Sequence, residues 1–202
     1  MIDTIKNVSE RLRQLRSRRK WWRRWARRAA VALLLREGDA GLEVLMIQRA
    51  ERIDDPWSGH MAFPGGLVDA RDRNSLAAAV RETWEEIGLD ITAHAELIAR
   101  LSELGAFALR PYRRPLTVSP YVFALRTLPP LQLNDEVADV VWVPLSFFAE
   151  RSNRGVMQWR RIRLPFYLWS GRRIWGLSLQ MLDEMLQHLL AASATHDGGK
   201  RL

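Results

Sequence analysis

The chain has 202 residues, 48% of them hydrophobic, enough for a single core of ordinary domain size. It contains no cysteine, which excludes disulfides, thiolate metal sites and thiol nucleophiles. The formal charge of +8 is uneven: residues 1–30 hold eleven basic against two acidic side chains, and the remainder twenty against twenty-one. No run of eighteen apolar residues is present to span a bilayer. The early basic run is not followed by an apolar segment with a small-residue cleavage site. A soluble, cytoplasmic protein is the expectation.

Residues 1–28 are expected to form a basic helical arm, capped at Ser9, with Trp21, Trp22 and Trp25 in its last turns. The arm reads as a solvated helix whose tryptophans lie on the domain. The sharper alternatives are a contact with an anionic membrane surface or with nucleic acid. From Ala29 the pattern changes to two strands, AAVALLL and LEVLMIQRA, joined across Arg36–Asp39. Arg49 and Arg52 close the second strand, as surface charges or facing phosphates. The loop Asp54-Asp55-Pro56-Trp57-Ser58-Gly59-His60 follows. His60 is suited to donating to a phosphate, to assisting proton transfer or to bonding a backbone group. Trp57 is suited to stacking on a base or to pinning the loop.

Phe63–Leu89, FPGGLVDARDRNSLAAAVRETWEEIGL, organises the chain. Gly65 and Gly66 open a loop free of Cβ atoms, where backbone N–H groups can approach a phosphate. Asn74 or Ser75 caps the helix that follows, and Gly88 suits the left-handed position after it. On that helix Glu82, Glu85 and Glu86 fall at i, i+3 and i+4 and share one face. Three carboxylates so close repel one another unless a divalent cation sits between them, and Mg²⁺ and Mn²⁺ prefer such hard oxygen ligands. Ser75, Ala78 and Ala79 are expected beside this open acidic face, with Leu76, Val80, Thr83, Trp84 and Ile87 buried opposite.

After the helix, LDITAHAELIARLSEL is partly strand, and Phe107–Pro115 is a basic loop whose Arg110, Arg113 and Arg114 meet an anionic substrate or water. Leu116–Leu125 is a strand, and Leu128-Pro129-Pro130 turns the chain. Asn134–Asp139 carries two further acids before VVWVPL. A helix is expected from Ser146 to Arg151, and another, LQMLDEMLQHLL, after Ile174–Ser178. Residues 191–202 are small and polar, and expected to be disordered.

The box resembles that of the Nudix hydrolase superfamily, G-x5-E-x7-R-E-U-x-E-E-x-G-U, with U a bulky aliphatic residue. Arg81, Glu82, Glu85, Glu86, Gly88 and Leu89 match its second half. Asp72 stands for the first acid after Gly66, one residue further from Arg81 than the pattern has it, and Thr83 replaces an aliphatic residue. Asp69, Asp72 and the inserted residue are similar to the coenzyme A pyrophosphatase-like branch, as is the IWG-L-S segment at Ile174–Ser178. In that branch's HxGQVxFPGG signature Gly59 matches, while Trp57 and His60 stand for His and Gln.

The resemblance implies an α/β/α sandwich with a mixed sheet over residues 29–190. It implies a metal-dependent hydrolase of the pyrophosphate linkage in a nucleoside diphosphate derivative, coenzyme A and its acyl thioesters among the candidates. Glu85 and Glu86 are then ligands of Mg²⁺ or Mn²⁺, and Glu82 a ligand or general base. Arg81 orients an acidic side chain. Arg49, Arg52 and His60 face the substrate, and Gly65 and Gly66 line it, with a backbone carbonyl of the pair as a possible further ligand. Glu136, with Asp139 second, completes the metal site or acts as base. The alternative is a non-catalytic module of the same fold that uses its basic arm to contact anionic partners. The oligomeric state is open, a homodimer included.

Overall fold

A computed structural model describes residues 4–39, 41–53, 57–106, 115–159 and 161–196, the last seven of these by backbone alone. Asp54–Pro56, Arg110, Arg113, Arg114 and the end of the tail, residues 197–202, lie outside the described residues. The first elements are helix α1 (Ile5–Arg13), a 3₁₀ turn (Trp21–Arg24) and the hairpin β1 (Arg27–Gly38) and β2 (Gly41–Arg49). The short strands β3 (Met61–Ala62) and β4 (Gly65–Leu67) lead into helix α2 (Ser75–Ile87). Then come α3 (Ile91–His94), β5 (Ala95–Arg100), β6 (Leu104–Ala106), β7 (Leu116–Leu125) and β8 (Val137–Pro144). The chain ends with α4 (Leu145–Ala149), β9 (Arg154–Trp159), β10 (Ile162–Trp169), β11 (Arg172–Trp175) and α5 (Gly176–His196).

β1 is central because its apolar run is buried on both faces. It pairs in parallel with β7 and antiparallel with β2 and β4, so the sheet is mixed, in the order β3-β2-β1-β7-β5 with β8 on β2 and β6 on β7. Alternate residues of β1 feed two cores. Ala30, Ala32 and Leu34 pack with Ala78, Ala79 and Ile87 of α2. Leu33 and Leu35 pack on the other face with α5 and α1. The layering is α/β/α, as expected.

Three expectations are corrected. The N-terminal segment is not one helix: α1 starts after Thr4, and Ser9 sits inside it with its hydroxyl donating to the Ile5 carbonyl. Its Val8 and Leu12 are buried in the main core, so the helix is part of the domain. The tryptophans belong to the separate 3₁₀ turn, and strand β1 already begins at Arg27. Next, α2 buries its small residues, Ala78 and Ala79, while Trp84 is 57% exposed. Alanines let the helix axis come close to β1; an indole there would hold it away. Finally, α5 continues to His196, so residues 191–196, expected to be disordered, are helical; residues 154–175 also form an unanticipated three-stranded antiparallel sheet.

Leu12→Ala is expected to cost about 2–4 kcal/mol, because it empties a fully buried site between α1 and the sheet. Urea unfolding measures this; an unchanged midpoint would mean that α1 is not docked in solution.

Candidate active site

Asn74 caps α2 by accepting from Ala77 N–H at 2.9 Å, and Gly88 ends it at φ 66°. Thr83, unusual at its position, satisfies its buried hydroxyl on the Ala79 carbonyl at 2.7 Å. The helix end is then tied to the loop before β8. The Ile87 and Glu86 carbonyls accept from the N–H groups of Gln132 and Asn134, both at 3.0 Å. The Asn134 side chain accepts from Glu136 N–H at 2.9 Å, and the Glu136 carbonyl accepts from Ala50 N–H at 2.8 Å. These bonds bring Glu136 to the site from fifty residues downstream of Glu86.

The three glutamates are not equally open. Glu86 is 3% exposed and accepts from Gly65 N–H at 2.8 Å. Glu82 is partly covered, and Glu85 stands at the rim. The Gly65–Gly66 pair is explained by this arrangement. Gly65 lies at φ 148° with an added Cβ only 2.2 Å from the Ala30 carbonyl, and a Cβ on Gly66 would sit 2.5 Å from the Glu82 carboxylate. The expectation that this loop offers its N–H groups to a phosphate is therefore corrected at Gly65, whose N–H serves Glu86. The pair forms strand β4, in register with β1.

Arg81 joins the loop to the acids. It grips Asp72 with two hydrogen bonds of 3.1 and 2.9 Å, donates to Glu82 and Glu85 at 2.9 Å each, and reaches the Leu67 carbonyl at 3.1 Å. Hydrogen bonding from Arg81 holds the Asp72 carboxyl below its usual range. The inserted residue is thus absorbed in a loop whose acid still reaches the arginine. Arg71, which the sequence reading did not single out, adds a bond to Glu85 at 3.2 Å.

Burial is the main force on the acids. It pushes the Glu86 carboxyl up to about 8, helped by the charges of Glu82 and Glu136 and opposed by Gly65 N–H and the Arg49 guanidinium. Burial also raises Glu82, against its bonds to Arg81, with Glu85 and Glu136 adding to the rise. Four acids and two arginines, Arg49 and Arg81, thus act on one another. Arg52 lies at the edge of this group, paired with Glu136 at 3.1 Å on the surface. Asp139 is drawn away to Arg172, which also donates to Gln48. His60 is the cross-strand neighbour of Arg49, through Arg49 N–H on the His60 carbonyl at 3.0 Å. Its ring packs edge-on to Trp57 and Trp175, a contact that sequence spacing did not reveal.

Among the described residues, no three acidic or imidazole groups converge as they lie to share one ion. Each member of the expected cluster of Glu82, Glu85 and Glu86 already has a hydrogen-bond partner: Arg81 engages Glu82 and Glu85, and Gly65 N–H engages Glu86. The donor set nevertheless fits a hard divalent cation. It is all carboxylate oxygen, and Glu82 and Glu86 are destabilised as anions by burial and by neighbouring carboxylates, a burden that a cation relieves.

The chain belongs to the NUDIX domain family, whose pattern it matches over residues 25–160. It is 31% identical over 156 residues to a human mitochondrial coenzyme A diphosphatase, covering 72% of this chain and 62% of that protein. It is 32% identical over 125 residues to a peroxisomal coenzyme A diphosphatase of Caenorhabditis elegans, covering 60% of this chain and 50% of that one. The chain thus spans half to three fifths of the length of these relatives. The fold is shared with an Ap4A hydrolase of C. elegans, at a TM-score of 0.56 and 19% identity over 83% of this chain and 99% of the other.

The folded state keeps the Glu86 proton over the window from 4.5 to about 8, where an unfolded chain has released it. Its contribution to stability is therefore full below pH 4.5 and is lost as pH rises through 8. Glu86→Gln in chelator is expected to be more stable than the parent at pH 9, by up to about 5 kcal/mol, and so to melt higher, with the gap nearly closed at pH 5. Parallel melting curves at both pH values would contradict this. Gly66→Ala is expected to weaken Mn²⁺ binding by about tenfold in calorimetric titration, by displacing Glu82; unchanged affinity would remove Glu82 from the cation site.

Proposed function

We propose that the chain hydrolyses the pyrophosphate linkage of a nucleoside diphosphate derivative, with coenzyme A or an acyl-coenzyme A as the leading substrate class. The observation that carries this reading is the gathering of Glu82, Glu85, Glu86 and Glu136 around Arg49 and Arg81 at the Gly65–Gly66 strand. The named activities of the human and nematode relatives support the substrate class.

Glu82, Glu85 and Glu86, joined by Glu136, would hold Mg²⁺ or Mn²⁺. A bound cation neutralises phosphoryl oxygens and helps to supply an activated water. The chain's own residues do the rest. Glu82, partly desolvated and so more basic than a free glutamate, accepts a proton from the attacking water. The water oxygen bonds to one phosphorus, the anhydride P–O bond breaks, and its oxygen leaves with the second phosphate. Arg49, at the inner edge, and Arg52, at the rim, meet the phosphate charges. Arg81 is a positioning residue: its grip on Asp72 leaves its remaining N–H groups aimed at Glu82 and Glu85.

A mass-spectrometric hydrolysis panel tests this, with coenzyme A, an acyl-coenzyme A, ADP-ribose and dinucleoside polyphosphates in Mg²⁺ or Mn²⁺. Cleavage of a coenzyme A substrate into adenosine 3′,5′-bisphosphate and phosphopantetheine, or its acyl thioester, is expected, with kcat lowered about 100-fold or more in Glu85→Gln. Glu136→Gln is expected to lose activity as well. Failure to cleave any member, in protein shown to be folded and to bind the cation, would favour a binding module.

A further inference from the structure

The turn between α1 and β1 is built with unusual care for a surface segment. Its anchor is Glu103, only 2% exposed. One carboxylate oxygen of Glu103 accepts from Lys20 N–H at 2.8 Å, and the other pairs with the Arg23 guanidinium at 2.9 Å. Glu103 N–H donates to the Arg18 carbonyl at 2.8 Å, and Arg18 N–H to the Ser102 hydroxyl at 3.1 Å. Trp22 lies against Gly105, where an added Cβ would come within 2.8 Å of its ring. Arg27 N–H then joins the Pro115 carbonyl at 2.9 Å.

This framework holds two large apolar side chains in water. Trp21 is 78% and Trp25 63% exposed, and their rings meet edge to face at 5.9 Å. With Trp22 and Pro115 they line an open cleft of about 350 Å³. Around them Arg18, Arg19, Lys20, Arg24 and Arg28 are also exposed, and none forms an ion pair with a described residue. The remainder of the chain is close to neutral, so the excess charge of the protein is concentrated in the segment that bears the indoles.

Indole rings favour the boundary between headgroups and acyl chains, and clustered arginine and lysine favour anionic headgroups. Among the described residues no helix is long and apolar enough to cross a membrane. We propose that the Trp21–Trp25 turn docks the domain on an anionic lipid surface, Trp21 and Trp25 entering the interface and the five cations meeting the headgroups. The contact is rigid and superficial, set by a buried carboxylate and not by an amphipathic helix folding on the lipid. Turnover in solution does not need it.

Co-sedimentation of the full chain with phosphatidylcholine vesicles, with or without 30% phosphatidylglycerol, provides the test. Binding to the anionic vesicles alone is expected, with a blue shift of tryptophan emission and release at high salt. Trp21→Ala with Trp25→Ala should weaken binding at least tenfold and abolish the shift, with melting temperature unchanged, since both side chains are exposed. Arg19→Glu with Arg24→Glu should weaken it by about fivefold or more per charge removed. Equal binding to neutral vesicles, no binding to either, or binding that survives both double variants would overturn the proposal. Tight retention of a single-stranded RNA oligomer without vesicle binding would overturn it in favour of nucleic acid. None of these readouts uses hydrolysis, so the outcome is independent of the substrate assignment.

Discussion

A carboxylate taken out of water must be held by donors or by charge, and Glu86 is held by little: one backbone N–H from Gly65 and the field of Arg49. Much of the surrounding structure follows from that constraint. Helix α2 must come close enough to β1 for the carboxylate to reach the β4 backbone, so its inner face is alanine. The residue that donates must lie against the β1 backbone, so it is glycine. The neighbouring acid must fit over the next residue, so that is glycine too. Acids that burial leaves unstable as anions suit a hard divalent cation.

Arg81 has the complementary role. It donates to three acids of the box, Asp72, Glu82 and Glu85, and it also binds the loop carbonyl of Leu67. Five donors in a planar fork suit that task, which a lysine would not fill. It holds Glu82 and Glu85 in place while leaving them exchangeable, since each makes a single bond to it. The second contribution comes from the far side of the sheet end. The orphan carbonyls at the end of α2 capture the loop before β8, and with it Glu136. The acidic helix therefore recruits Glu136 through its own unsatisfied backbone.

Two surfaces of one small domain thus have different physics. Around α2 the charge is negative, partly buried and short of cations. Around the Trp21–Trp25 turn the charge is positive, exposed and mixed with indole. Both are fixed by a buried glutamate, Glu86 in one case and Glu103 in the other, each bonded to backbone N–H groups. Glu103 shows how a single acid can order a segment that would otherwise be a charge run of no set shape.

By itself the sequence determined the acidic helix, its cap and its stop, because helix period, Asn74 and Gly88 act over a few residues. It determined the hairpin and the mixed α/β character through apolar runs, and the family through the spacing of Arg81, Glu82, Glu85 and Glu86. Only the tertiary structure decided which face of α2 is buried. Helical periodicity ranks Trp84 above alanine, whereas the close approach to β1 requires alanine. Tertiary contacts also decided that Gly65 serves Glu86, that Asp139 goes to Arg172 while Glu136 stays at the site, and that α1 enters the core. The antiparallel sheet of residues 154–175, with rings that meet His60, was likewise invisible, its exposed positions carrying apolar residues such as Val156, Ile162 and Leu168. Such choices depend on partners tens of residues away, and distance in sequence carries no information about them until the chain has folded.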